Sequence, residues 1–164
     1  MNWKWEENSV LYRISKYTNP KDIFEAVCRE IGRYFQHSAA CRVTKRKVRW
    51  IGTNVICQFA FWSSHSNISG KYVCFEIVTS VYAKDKSNME RNGLLRIGIK
   101  PKSFDVHAID SSHFLEIITW MEQTIAYVKT VETPEGFTEW LAESASDDPN
   151  HMVFLDKICA GDDS

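Results

Sequence analysis

The sequence lacks the segments that would direct the chain to a membrane or a secretory route. No run approaches the roughly 18 apolar residues of a membrane-spanning helix, and the first seven residues contain no apolar core of a signal peptide. The five cysteines are dispersed, with no C-x-x-C pair, which argues against a zinc site or a redox motif. These absences favour the cytoplasm, where cysteines stay reduced.

The sequence also lacks the short motifs that identify common reactions. It contains no P-loop and no G-x-S-x-G sequence, and its five histidines show no H-x-x-x-H spacing. The acidic residues form no motif for paired acid–base catalysis. We therefore expect no enzyme activity, no bound metal and no cofactor.

Length and composition indicate one globular domain spanning residues 1–164. A chain of 164 residues with 44% hydrophobic and 25% charged residues can bury a single substantial core. Within it, residues 1–17 form an N-terminal arm, in which residues 10–14 fit either a helical turn or an edge strand. Residues 145–164 form an acidic C-terminal tail, and their sequence leaves open whether part of it docks.

Alternating apolar residues predict a central hairpin. Val55, Cys57, Phe59 and Phe61 share one face of a strand at 54–62, and a second strand at 71–82 repeats the pattern. A basic strand at 40–50 precedes the hairpin and has no cleanly apolar face, which is typical of a sheet edge. A further strand is expected at 93–100, ended by Pro101 because proline offers no N–H to the sheet.

Helices flank these strands in the sequence. Thr18 or Asn19 can cap a helix that begins at Pro20 and keeps helical spacing to about Gln36. A long helix is expected at 112–130 and a shorter one from Thr133 to Ser144. The fold class is therefore α+β: an antiparallel sheet of four to five strands with helices packed on one face, in the order helix, strands, helix, helix.

The polar loop between the hairpin strands has the most functional side chains. Trp62, Ser64, His65 and Asn67 could bind a partner, because loops on a rigid sheet often carry recognition. A serine paired with His65 as a nucleophile is disfavoured, since adjacent loop residues seldom hold that geometry. The alternative is a hairpin connection whose Ser and Asn side chains hydrogen-bond their own backbone.

Charge is unevenly distributed along the chain. Residues 1–131 hold 19 Lys and Arg against 12 Asp and Glu, whereas residues 132–164 hold one Lys against nine acids. The acidic part could face a basic partner and speed its docking. Its candidate binding residues are Glu135, Glu139, Glu143, Asp147 and Asp148.

The basic strand offers a different surface, one that could grip phosphate while nearby aromatic rings stack on bases. The low pI of about 6.5 argues against this second reading. Its candidate residues are Arg42, Lys45, Arg46, Lys47, Arg49 and Trp50.

The order of elements over residues 20–142 resembles small bacterial α+β proteins, some of which are immunity proteins of toxin–immunity systems. The resemblance lies in the leading helix, the basic strand, the Phe-Trp-Ser-Ser-His-Ser-Asn loop and the Tyr-Val-Cys-Phe-Glu-Ile strand before the closing helices. It implies binding to a cognate toxin and carries over no catalytic residue.

Three functions follow as hypotheses. The first is an intracellular protein-binding inhibitor, an immunity protein that neutralises a toxin, such as a basic nuclease, by direct binding. The second is a nucleic-acid-binding regulator that uses residues 42–49 with nearby aromatics. The third is an enzyme whose site is assembled around His65 by folding.

Overall fold

The sheet and two of the expected helices are present in the computed structural model, which describes residues 2–84, 96–105 and 111–133. After a 3-10 turn at Val10–Tyr12, the elements are α1 (Pro20–Phe35), β1 (Cys41–Thr44), β2 (Lys47–Ile51), β3 (Val55–Ser63), β4 (Cys74–Ala83), β5 (Arg96–Asp105) and α2 (Ser111–Val131). The α+β class and the order helix, strands, helix are confirmed. The helix expected after Thr133 and the acidic tail lie outside the described residues.

The first helix begins and ends where its local signals predicted. The Asn19 side chain accepts a hydrogen bond from the Lys21 amide at 2.9 Å, and Pro20 occupies the first helical position. Gln36 ends the helix by donating its amide to the Gly32 carbonyl. At Gly32 the helix approaches β1 so closely that an added Cβ would lie 2.8 Å from Val43 Cγ1.

The strands form one antiparallel meander in the order β1-β2-β3-β4-β5. The expected single strand at 40–50 was wrong, because β1 and β2 are two strands of a tight hairpin with Thr44 opposite Lys47. The turn at Lys45 and Arg46 reverses the chain, so Val48 and Trp50 point to the same face as Cys41 and Val43. That reversal explains why neither face of a single strand looked apolar.

The last strand is longer than predicted and runs through Pro101. Within the described residues β5 pairs with β4 alone, and the register shifts between the pairs Ile77–Lys102 and Thr79–Ile99. Proline is accommodated because it lies on an edge strand at this irregularity, where no ladder hydrogen bond from its nitrogen is needed. The expectation that Pro101 ends the strand was wrong.

Both described helices cover one face of the sheet, termed here the inner face. Phe24 of α1 lies against Phe75 of β4 with ring centroids 5.9 Å apart, and Trp120 of α2 meets Phe59 of β3 at 6.0 Å. These rings belong to a continuous buried core. The opposite, outer face carries Arg42, Lys47, Arg49, Gln58 and Trp62, among others.

The N-terminal arm is tied to the core by a buried carboxylate. Glu30 on α1 is 1% exposed and accepts hydrogen bonds from Trp3 Nε1 at 2.8 Å and from the Glu6 amide at 2.6 Å. Arg33 pairs with the same carboxylate at 2.7 Å. Trp3 stacks on Phe114 of α2 with centroids 5.0 Å apart, so the arm joins the two helices.

Candidate functional site

One side chain, Asn67, holds the loop between β3 and β4 by pairing with the backbone of Cys74 as a neighbouring strand would. Asn67 Oδ1 accepts a hydrogen bond from the Cys74 amide at 2.7 Å, and its Nδ2 donates to the Cys74 carbonyl at 3.0 Å. Nδ2 also lies 3.1 Å from Ser63 Oγ, to which it donates. Both ends of the loop are thereby fixed through a single amide.

A second set of bonds shapes the loop tip. Ile68 and Tyr72 form an antiparallel bridge with backbone hydrogen bonds of 2.8 and 2.9 Å in the two directions. Gly70 turns the chain between them with φ of +73°, a conformation that glycine adopts without strain. Ser64 Oγ accepts from the Ser66 amide at 3.1 Å, which orders the turn before the bridge.

The loop tip rests against the segment that precedes α1. Ser69 Oγ donates to the Thr18 carbonyl at 2.9 Å, and an added Cβ on Gly70 would lie 2.9 Å from Lys16 Cβ. The hydrogen bond joins residues that are 51 positions apart in the sequence. One continuous surface is therefore formed by residues 16–18 and 69–70.

In the described part of the chain, the large exposed apolar side chains belong to the segment before α1, to the loop, and to the end of β3 that leads into the loop. Every large hydrophobic residue classed as exposed there lies within residues 12–17 or 62–72. Their exposed fractions are 58% for Tyr12, 81% for Tyr17, 62% for Trp62, 54% for Ile68 and 39% for Tyr72. We call Tyr17, Trp62, Ile68 and Tyr72, with the backbone that holds them, the aromatic end.

The four loop residues predicted to bind a partner have two different roles. Trp62 and His65 are exposed and available for contact. Ser64 and Asn67 are half-buried, and their side chains hold the loop, which was the structural alternative for this polar segment. The partner-binding prediction did not include Ile68 and Tyr72, although Tyr72 is one of the aromatic residues that could stack on bases, and two large apolar residues in a polar loop were a usable signal.

Tyr17 was also missed, and no local pattern identified it. It lies beside the loop only because the chain before α1 folds against residues 69–70.

The predicted basic surface is divided by the fold. Lys45 and Arg46 reach Glu25 on α1 at 3.3 and 3.2 Å, and the hydrogen bond from Arg46 is the main reason that the pKa of Glu25 lies below its usual range. Trp50 is on the inner face and 7% exposed, where Lys129 lies 5.6 Å from its ring centroid. These three residues therefore do not belong to the surface that carries the other predicted phosphate contacts.

The remaining basic residues share the outer face with Trp62. Arg42 donates to the Ala39 and Cys41 carbonyls at 3.0 and 3.1 Å, and Arg49 Nε donates to Gln58 Oε1 at 2.8 Å. Lys47 is exposed on the same face. The predicted acidic binding residues 135, 139, 143, 147 and 148 lie outside the described residues.

The described cysteines are buried free thiols. Burial raises the pKa of Cys28 to about 12, and it also raises the pKa of Cys41 and Cys57, so these side chains remain protonated at neutral pH. Cys57 and Cys28 belong to the hydrophobic core. Among residues 2–84, 96–105 and 111–133, no group of three His, Cys, Asp or Glu side chains could hold a metal ion.

An open groove of about 620 Å³ lies between the end of α1 and α2. Three of its charged or polar side chains already contact neighbours: Tyr34 Oη donates to Glu122 Oε1 at 2.5 Å, and Lys129 lies over Trp50. Burial and this hydrogen bond raise the pKa of Tyr34 to about 12. Because Tyr34, Glu122 and Lys129 are already engaged with neighbours, the groove is a weaker candidate site than the aromatic end.

Comparison with protein families, with curated proteins and with solved structures finds no match for this chain. No helix in the described ranges is both long enough and apolar enough to cross a membrane.

Proposed function

We propose that this chain is a protein-binding inhibitor, of the kind that immunity proteins represent, and that it holds its partner by the aromatic end. The observation that carries the proposal is the concentration of exposed Tyr17, Trp62, Ile68 and Tyr72 on a loop that hydrogen bonds hold in place. Exposed Trp and Tyr side chains are the residues that most often dominate binding energy at protein interfaces.

The preformed loop supports the same proposal. A loop that is already ordered loses little conformational entropy when it binds, so more of the contact energy appears as affinity. Asn67 and Ser69 order the loop through bonds of 2.7 to 3.1 Å, while leaving Trp62 and His65 outside. The proposed partner is a cognate toxin in a bacterial cytoplasm, neutralised by direct contact rather than by a reaction.

Co-expression with the products of neighbouring genes tests this function. We expect one product that is toxic alone, forms a stoichiometric complex with this chain, and loses its toxicity when the chain is present. Trp62→Ala should weaken the complex by roughly 30-fold or more, since truncating an interface Trp commonly costs about 2 kcal/mol or more. Arg42→Ala, exposed at the far edge of the sheet, is the control and should bind like the parent chain.

Two results would contradict the proposal. One is neutralisation without any physical complex. The other is a complex whose affinity is unchanged by Trp62→Ala and by Tyr72→Ala, each shown by circular dichroism to be folded.

Nucleic-acid binding is the second candidate, because Arg42, Lys47 and Arg49 share the outer face with Trp62. This function requires affinity for a labelled single strand that falls steeply with salt, with a slope of about 0.7 per phosphate contact on logarithmic axes. Lys47→Ala should then reduce the slope by about one contact. A salt-independent signal, or none, would remove the candidate.

A further inference from the structure

The aromatic end carries positive charge on the segments that build it. Arg13 and Lys16 precede Tyr17, Lys71 precedes Tyr72, and all three cationic side chains are exposed. None of them takes part in an ion pair within the described residues. Lys16 Nζ lies 4.9 Å from the centroid of the Tyr17 ring, so one charge sits directly beside an exposed aromatic face.

The two segments that build this surface contain no acid. Residues 8–18 and 63–75 have three Lys or Arg and no Asp or Glu, and they are bordered by Glu7 and by the exposed Glu76, which lies opposite Trp62 in the register. This differs from the β1–β2 turn, where Lys45 and Arg46 share Glu25. In the described part of the chain the aromatic end therefore carries more positive than negative charge, although the whole chain has a net charge of −1.

We propose that the aromatic end takes an acidic patch of a partner protein, with the rings of Tyr17, Trp62 and Tyr72 packing against apolar groups inside a rim of carboxylates. This inference rests on the proposed function and adds the chemistry of the partner's surface. Exposed cations around apolar anchors steer a surface of opposite charge into register and discourage basic surfaces. The partner patch is therefore acidic, whereas the acidic C-terminal residues would suit a basic partner.

A protein patch fits this surface better than a nucleic acid does. Ile68, 54% exposed at the loop tip, offers an aliphatic contact that bases and phosphates do not match. Three cations are few for a phosphate-binding surface, and the pI of about 6.5 is well below the values above about 9 that are usual for nucleic-acid-binding domains.

The test uses the full chain and three labelled probes in fluorescence anisotropy. The probes are a peptide of alternating glutamate and leucine, a peptide of the same length with lysine in place of glutamate, and oligothymidylate. The test variant is the double substitution Lys16→Glu with Lys71→Glu. Its matched control is Lys4→Glu with Lys84→Glu, because both lysines are exposed, Lys84 lies at the end of the β3–β4 pair opposite the loop, and the change in net charge is the same.

We expect the glutamate peptide to bind the parent chain at least about tenfold more tightly than the lysine peptide does. The test variant should lose about tenfold in affinity for the glutamate peptide, and the control less than about twofold, because exposed charges act mainly within a Debye length of roughly 10 Å. Circular dichroism verifies that both variants fold.

The proposal is overturned if the lysine peptide binds as tightly as the glutamate peptide, if neither peptide binds, or if both double variants weaken binding equally. Tighter binding of oligothymidylate, lost in the test variant, would assign the surface to nucleic acid instead. If the peptides contradict the proposal while Trp62→Ala still abolishes neutralisation, the inhibitor function stands and only the acidic partner surface falls.

Discussion

Replacing Asn67 by alanine should loosen the loop that presents the aromatic end. The substitution removes an acceptor for the Cys74 amide at 2.7 Å and donors to the Cys74 carbonyl and Ser63 Oγ at 3.0 and 3.1 Å. Cys74 is buried, so water cannot readily replace the lost partner of its amide. Asn67 therefore holds the loop in place, although the sequence predicted it as a partner-binding residue.

The size of the effect follows from the bonds removed. A hydrogen bond contributes about 0.5–1.5 kcal/mol net, and a buried amide left without a partner costs about 1–3 kcal/mol. Asn67→Ala should therefore lower the free energy of unfolding by about 2–4 kcal/mol. With a urea dependence of about 2 kcal/mol per molar, the midpoint should fall by roughly 1–2 M.

Urea titration followed by tryptophan fluorescence measures this shift, with Ser66→Ala as the control. Ser66 is exposed and lies next to Asn67 in the sequence, and its backbone amide, not its side chain, donates to Ser64 Oγ. Ser66→Ala should therefore change the free energy of unfolding by less than about 0.5 kcal/mol. Hydrogen exchange should show faster exchange at the Cys74, Ile68 and Tyr72 amides in Asn67→Ala. Equal midpoints and equal exchange in the two variants would refute the assigned role.

Three further predictions concern the core and the α1 surface. The Thr79 hydroxyl is fully buried and lacks a hydrogen-bond partner among the described residues. Thr79→Val should therefore raise the free energy of unfolding by about 1 kcal/mol. A decrease of that size would show that the hydroxyl makes a hydrogen bond. Gly32→Ala should destabilise by about 1–2 kcal/mol because its Cβ meets Val43 Cγ1 at 2.8 Å; adding Val43→Ala should relieve that clash, and no relief would contradict the close approach. The pKa of Glu25 is lowered by Arg46 and Lys45, so the stability contributed by its charge is present above its ordinary pKa of 4.5 and is lost as pH falls through the lower folded value. The difference in urea midpoint between the parent chain and Glu25→Gln should shrink on acidification, and a difference that grows would contradict this sign.

Local signals made most of the fold predictable from sequence. The Asn19 cap, Pro20 and helical spacing specify α1 within one turn, and alternating apolar residues specify the paired strands β3 and β4. The β1–β2 turn was not predictable in this way, because Lys45 and Arg46 are not residues that favour turns. Missing that turn placed Trp50 with the basic residues, whereas the fold places it in the core.

The candidate site was less predictable because it depends on contacts between distant segments. Trp62 and His65 were found from the loop sequence, but Tyr17 joins them only through the contact of Ser69 with Thr18. Charge was equally hard to judge from the sequence. The most basic stretch is partly neutralised by Glu25, whereas the sparse cations Lys16 and Lys71 have no such partner in the described chain.

Hydrogen exchange of the chain in complex with its co-purified partner tests the central claim most directly. The aromatic end is the binding surface in this account, so amides of residues 15–18 and 63–72 should exchange more slowly in the complex than in the free chain. The β1–β2 turn at Lys45 and Arg46 should be unchanged. Slower exchange confined to that turn or to other elements, with residues 63–72 unaffected, would contradict the account.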